Sequence, residues 1–400
     1  MRTDVFCKVV DNYGDAAVCW RLARQLAQEH GHAVRLWIDD PGTLAALCPA
    51  LDRDRVAQAP GCSVEGVQVR SWATGVDWVA AGRDADLVIE AFGCGLPEAY
   101  AESLAAAAPG RCLWIVLEYL SAEAWVPGHH GLPSPHPRLP IPRHYFFPGV
   151  APGTGGVLRE AGFDARQAGF SMDPHSTQRF WQGLGFAPQA TAGGGAATRV
   201  SLFGYENTAL VPLLDDWARG PSPVVAAVTA GRVQAQVVAW LAGQGVEAAT
   251  LREGGTVRRG ALELRLLPFL PQPAYDELLW ACDLNFVRGE DSFVRAQWAA
   301  RPFVWQPYVQ AEGAHLAKLA AFLTAYGQGL APGAARALQG FSALWNAGTA
   351  PRDGAMGEAW AALRAAAPEL GAQARAWAGK LHEIGDLAGN LDDFCRKRLK

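Results

Sequence analysis

Two short segments concentrate the side chains able to do acid–base or charge-stabilising chemistry. The first, Asp11-Asn12-Tyr13-Gly14-Asp15, follows the strand-like run Val5–Val10 and precedes the amphipathic stretch Ala16–Glu29. A dinucleotide-binding turn requires G-x-G-x-x-G at such a junction. One glycine and two aspartates make a poor cradle for a pyrophosphate, because like charges repel. Asp15 fits a helix N-cap, with Gly14 relaxing the turn. Asp11 and Asp15 also fit a pair of carboxylates facing a ligand crevice, and a residue at a helix start can serve both ends.

The second segment, Arg288-Gly289-Glu290-Asp291-Ser292, again joins a strand end to a helix start. Glu290, Asp291 and Ser292 are ordinary first-turn residues, suited to capping. Arg288 adds a fixed positive charge beside free helical N–H groups, a combination suited to a diphosphate. Gly289 lets the backbone approach closely. The competing account of Arg288 is a structural salt bridge to a nearby acid. Two further stretches follow strands: Phe203-Gly204-Tyr205-Glu206-Asn207, and Leu267–Tyr275 with Phe269, Gln272 and Tyr275. Rings at strand ends more often pack a core than stack on a ligand, yet these positions allow base stacking. Asp52-Arg53-Asp54 and Asp84-Ala85-Asp86 match DxD but follow no strand end, so no metal is assigned to them.

These segments depend on the elements that carry them. Runs of strand length (Val5–Val10, Val34–Asp39, Val67–Arg70, Leu87–Phe92, Cys112–Tyr119) alternate with helical stretches, the pattern of a parallel sheet covered on both faces. Val126–Gly155, rich in proline and carrying His129, His130, His136 and His144, breaks the rhythm and reads as a long ordered loop. After Ala190–Thr198, which reads as a flexible linker, the alternation restarts with Arg199–Tyr205 and ends in a helical tail from Gly313. The predicted organisation is α/β: a domain over 1–190 and a second over 191–375, with a helical end over about 376–400. Ligands in such sheets bind outside the carboxyl ends of the strands, and the cleft between two halves is the default site.

Composition limits the alternatives. Thirty-five basic residues against 39 acidic give a net charge of −4, which argues against a general polyanion binder and against direct nucleic-acid binding. No apolar run reaches the roughly 18 residues that would span a bilayer. No secretory pattern precedes Val5–Val10, and the eight cysteines show no CxxC spacing. These features predict free thiols in a reducing cytoplasm, without a membrane anchor or a zinc site.

The run Phe6–Asp15, followed by Cys19-Trp20-Arg21-Leu22-Ala23, closely resembles the bacterial protein-arginine rhamnosyltransferases of the EarP family, as does Arg288–Trp298. Ser201–Asn207 and Leu267–Tyr275 are intermediate landmarks in the same order, and the resemblance extends along the whole chain. It implies a GT-B glycosyltransferase: two facing Rossmann-like domains with an interdomain cleft and a helical C-terminal tail, whose end at about 376–400 returns to complete the first domain. It implies transfer of L-rhamnose from dTDP-β-L-rhamnose to one arginine of translation elongation factor P, with inversion and without metal or other cofactor. The acceptor would dock mainly on the N-terminal domain and the donor mainly on the C-terminal one. By the resemblance, Asp15 matches the proton acceptor, Asp11 its partner carboxylate and Glu290 a second essential acid. Asn12, Tyr13 and Gly14 match the turn over the donor. Tyr205, Phe269, Gln272, Arg288, Gly289, Asp291 and Ser292 match donor-binding positions, with Phe203 nearby, and Tyr275 stands where some relatives have Phe.

The chemistry fits these residue types. A guanidinium is a poor nucleophile until a carboxylate orients it and takes its proton, and the two acids of the first turn can divide those tasks in either order. Three other readings compete. One is a GT-B enzyme with another donor or acceptor. The second is a non-catalytic partner of a translation factor, against which the acids at both junctions argue. The third is a nicotinamide oxidoreductase, against which the missing G-x-G-x-x-G argues.

Overall fold

The computed structural model describes residues 1–11, 13–58, 61–72, 75–107, 110–186, 197–247 and 253–399. The chain forms two compact units, one of Met1–Phe163 with Lys380–Lys400 and one of Asp164–Gly379. The first unit therefore ends at Phe163, not at residue 190. The reason lies in the helices Phe163–Met172 and Ser176–Gly183. Gln167 donates its side-chain N–H to the carbonyl of Trp298, and Phe170 packs on Trp280 at 5.5 Å, so these helices belong with the second sheet. Most of the expected linker, 190–196, lies outside the described residues, and Thr198 already opens a strand. The chain re-enters the first unit at Lys380, inside the helix Ala367–Ile384.

The first unit contains β1 (Arg2–Cys7), β2 (Ala33–Ile38), β3 (Cys62–Val64), β4 (Val67–Ser71), β5 (Leu87–Ala91), β6 (Leu113–Leu117), β7 (Pro133–Pro135) and β8 (Pro142–Phe146). They form one sheet in the order β3-β4-β2-β1-β5-β6-β8-β7, parallel except at the two edge strands β3 and β7. β1 is flanked by β2 and β5, so the order reverses there, the place at which sheets of this kind bind ligands. The interior strands read as continuous apolar runs because both faces are covered. Phe6 anchors one face among Trp37, Trp72, Trp78 and Tyr100, with ring centroids 4.8–6.1 Å away.

The proline-rich stretch is not one loop. It supplies β7 and β8, and proline is tolerated because β7 is the edge strand, where a missing N–H breaks no ladder. Two of its histidines hold the backbone. His130 Nδ1 accepts the Phe147 N–H at 3.1 Å, and His136 Nδ1 accepts those of Arg138 and Leu139.

The second unit contains β9 (Thr198–Leu202), β10 (Val224–Val228), β11 (Thr256–Arg259), β12 (Leu262–Leu266), β13 (Leu284–Arg288) and β14 (Phe303–Gln306). Their order is β11-β12-β10-β9-β13-β14, antiparallel only at β11, and the reversal falls at β9 between β10 and β13. Both units are Rossmann-like, as the strand–helix alternation predicts, and the tail from residue 314 is helical. All eight cysteines are free thiols, and burial pushes those of Cys94, Cys282 and Cys395 well up. None of the described helices is long and apolar enough to cross a membrane.

Candidate functional site

Each of the two junctions singled out in the sequence lies at the switch point of its own sheet. In the first unit the helix Tyr13–Gln28 begins two residues after Asp11. Asp15 does not cap it in the forward sense. Its Oδ2 reaches back to accept the backbone N–H groups of Val10 and Asp11, both at 2.8 Å, as the carboxylate of a capping box does. The Gly14 N–H donates to the Asp11 carbonyl at 2.7 Å, closing the turn. Asp11 and Asp15 are 7% and 1% exposed, so two carboxylates sit in a largely dry turn. The helix itself is anchored by a buried ion pair, Arg21 Nη1 to Glu160 Oε1 at 2.7 Å, and by Gln25 donating to the Arg159 carbonyl. Tyr13 and Gly14 lie in the first turn, half-buried, and Asn12 lies outside the described residues.

Two residues join this turn that the spacing of motifs did not single out. Tyr119, just past β6, donates its hydroxyl to Asp15 Oδ1 at 3.1 Å. Phe92, just past β5, stacks on the Tyr119 ring at 4.3 Å and 10°. The available signal was their place at the carboxyl ends of strands flanking the switch point. Both end predicted strands.

In the second unit Arg288 closes β13 and is 5% exposed. Its guanidinium carbon lies 4.6 Å from the Phe203 ring centre and 4.5 Å from that of Tyr205. The loop after β9 thus supplies two aromatic faces to one cation, an interaction that strengthens as water is excluded. Tyr275 meets Phe203 edge-on at 5.6 Å, and burial pushes its phenol well up. Gly289 has φ +58°, its N–H donates to the Gln306 carbonyl at 3.0 Å, and its own carbonyl accepts the Trp305 indole N–H at 2.8 Å. Positive φ at this turn explains the glycine.

Capping at this junction differs from the sequence reading. Glu290 occupies the N-cap position of the helix Asp291–Trp298 but makes no capping bond with its side chain. Ser292 instead turns back, accepting the Arg288 N–H at 2.9 Å and donating to the Arg288 carbonyl at 2.5 Å, which fixes the end of β13. Arg288 is accordingly brought together with Phe203, Tyr205, Tyr275, Gly289 and Ser292. Phe269, half-buried, follows β12, and buried Gln272 opens the next helix, Gln272–Ala281. That helix is tied to Asp291–Trp298 by a fully buried bidentate pair, Arg295 to Asp276 at 2.7–2.8 Å.

Asp52 caps the short helix Arg53–Val56, and Asp86 accepts the Arg2 N–H, so both DxD triplets serve local structure. Among the described residues, no three His, Cys, Asp or Glu side chains group as metal ligands.

The family described as Elongation-Factor P (EF-P) rhamnosyltransferase EarP matches residues 3–396. A protein-arginine rhamnosyltransferase of Pseudomonas putida is 46% identical over 398 residues, 99% of each chain. One from Shewanella oneidensis is 36% identical over 401 residues, covering 98% of this chain and 97% of its own. A solved structure described as the structural basis for EarP-mediated arginine glycosylation of translation elongation factor EF-P matches with a TM-score of 0.66 at 36% identity, covering both chains fully.

Proposed function

The chain belongs to the elongation-factor-P arginine rhamnosyltransferase family EarP, and on that premise we propose that it transfers L-rhamnose from dTDP-β-L-rhamnose to one arginine of elongation factor P. The fold is GT-B, two Rossmann-like units in one chain. The reaction proposed is an inverting, metal-independent single displacement in the cytoplasm, where a translation factor works. The observation that carries the reading is the Asp11–Asp15 turn: two buried carboxylates at a sheet's switch point, matched to a cationic acceptor.

An arginine side chain is protonated at any working pH, its pKa lying above about 12, and its lone pairs are delocalised. A carboxylate beside it localises the positive charge on the far nitrogens and frees the near one to attack. As the new C–N bond forms at the anomeric carbon, the bond to the diphosphate oxygen breaks and the proton passes to the carboxylate. Inversion needs one displacement and no covalent enzyme intermediate. In this reading Asp15 takes the proton and Asp11 orients the acceptor.

The second unit holds the donor. Arg288 and the N–H groups at Asp291–Ser292 take the growing charge of the leaving diphosphate. Glu290 repels a diphosphate, so its role is with the sugar hydroxyls or with Arg288. Phe269, partly exposed, offers a face to thymine, while Tyr275 supports Phe203 from behind. Gln272 and Gly289 shape the approach to the donor on the second unit, while Tyr13 and Gly14 form the turn that carries the two carboxylates on the first.

The test is the intact mass of elongation factor P after incubation with this protein and dTDP-L-rhamnose, with and without a chelator. The expected result is a gain of one deoxyhexose, mapped to a single arginine. No gain with dTDP still bound would leave the donor site standing and overturn the acceptor. A gain abolished by the chelator would overturn metal independence.

A further inference from the structure

We infer that Tyr119 is a positioning residue for the transfer, its hydroxyl fixing the Asp15 carboxylate in the orientation that meets the acceptor. The inference rests on the proposal that Asp15 serves the acceptor arginine. The two oxygens of Asp15 have different partners. Oδ2 is committed to the loop, accepting the Val10 and Asp11 N–H groups. Oδ1 accepts the Tyr119 hydroxyl. The torsion that turns a carboxylate about its own axis is soft. Bonds to one oxygen alone leave it partly free, and a donor on the second oxygen fixes it. A hydroxyl bonded to a carboxylate oxygen leaves that oxygen a further lone pair to offer.

The phenol is itself held. Its ring lies flat against Phe92, 10° from parallel. Phe92 has φ +56°, an outlier for a bulky side chain. Gly93 and Gly95 beside it also have positive φ, but there glycine pays no steric cost. The strained turn is pinned by the Phe92 N–H to the Leu117 carbonyl at 2.7 Å. It is pinned again by the Gly95 N–H to Glu90 Oε1 at 2.9 Å, while Glu90 Oε2 accepts the Trp114 indole at 2.9 Å. A phenylalanine kept where a glycine would relieve strain marks a need for the ring. That need is the stack on Tyr119. β1, β5 and β6 are neighbours in the sheet, so the series from Glu90 through Phe92 and Tyr119 to Asp15 crosses three adjacent strand ends.

Tyr119→Phe keeps the ring and its stack and removes only the donor. In the full-length protein, with dTDP-L-rhamnose and elongation factor P, kcat is expected to fall about tenfold to hundredfold. KM for both substrates and the Tm should stay at wild-type values. Phe92→Ala keeps the hydroxyl but frees the ring, and should lower kcat by an intermediate factor, again without a change in KM. Asp15→Asn, assayed in parallel, should remove most turnover while dTDP binding persists, and adding Tyr119→Phe to it should slow it no further. Wild-type kcat in Tyr119→Phe beside an inactive Asp15→Asn would overturn the role of Tyr119 and leave that of Asp15. Turnover retained in Asp15→Asn would overturn both. A Tyr119→Phe loss seen in KM or Tm instead of kcat would make the residue structural and sink the inference.

Discussion

Gly14 lies against Asp11 so closely that a methyl group built on it would sit 2.8 Å from Asp11 Oδ2. Gly14→Ala is a sensitive probe of that carboxylate, because alanine suits the helix and the side chain that must yield is Asp11. The expected outcome is an unchanged or slightly raised Tm, in line with the helix preference of alanine by up to about 1 kcal/mol. Turnover should fall by about tenfold or more, read by the mass assay on elongation factor P. Equal loss of Tm would point to a broken turn instead. Arg288→Lys keeps the charge but not the flat guanidinium against Phe203 and Tyr205. It should weaken dTDP about tenfold by calorimetry. Unchanged affinity would remove Arg288 from the donor site. Both residues could be singled out from sequence because a strand end followed by a helix start marks where ligands bind. Tyr119 could not, since 104 residues separate it from Asp15 and only the sheet order makes them neighbours. The backward reach of Asp15 was hidden for another reason: forward and reverse capping use the same residue types.

Helix starts carry the groups proposed to meet the donor, so what holds the helices also holds that proposed site. Asp276 and Arg295 are at most 2% exposed and bind each other through two parallel hydrogen bonds. Asp276→Ala removes the carboxylate that binds the buried Arg295 guanidinium through two hydrogen bonds, a loss of about 3–5 kcal/mol. Urea unfolding should show it, together with weaker dTDP binding, because the helix Asp291–Trp298 loses its tie. Wild-type stability would mean that Arg295 finds another partner or water. Most strands were legible in the sequence, β5 to within one residue, since strands covered on both faces are apolar nearly throughout. The edge strand β7 and its neighbour β8 were not, because proline and histidine mask the apolar pattern of a strand. The boundary at residue 163 was missed because composition marks a glycine-rich stretch, whereas the packing of helices Phe163–Met172 and Ser176–Gly183 defines the unit.

The first unit draws on both regions of the chain. His32, its side chain fully buried, bonds Thr3 Oγ1 and Asp392 Oδ1, each at 2.9 Å, and so links β1 to the helix Leu387–Arg396. Burial holds His32 below its ordinary value despite Asp392, and burial does the same for His130 and His144. The unfolded chain therefore binds more protons as pH falls through about 6.5, and stability is lost in that direction. The Tm should decline from about pH 7.5 to about pH 5.5, measured by scanning fluorimetry, and a flat profile would contradict it. Residues 380–400 return to the first unit only after the whole second unit has been synthesised. The ribosome thus delivers the Asp11–Asp15 turn and Tyr119 early and the helix that meets His32 late. A nascent chain halted anywhere between those points carries every carboxylate of the turn on an unsealed sheet. Sealing of the first unit therefore waits until the second has been made.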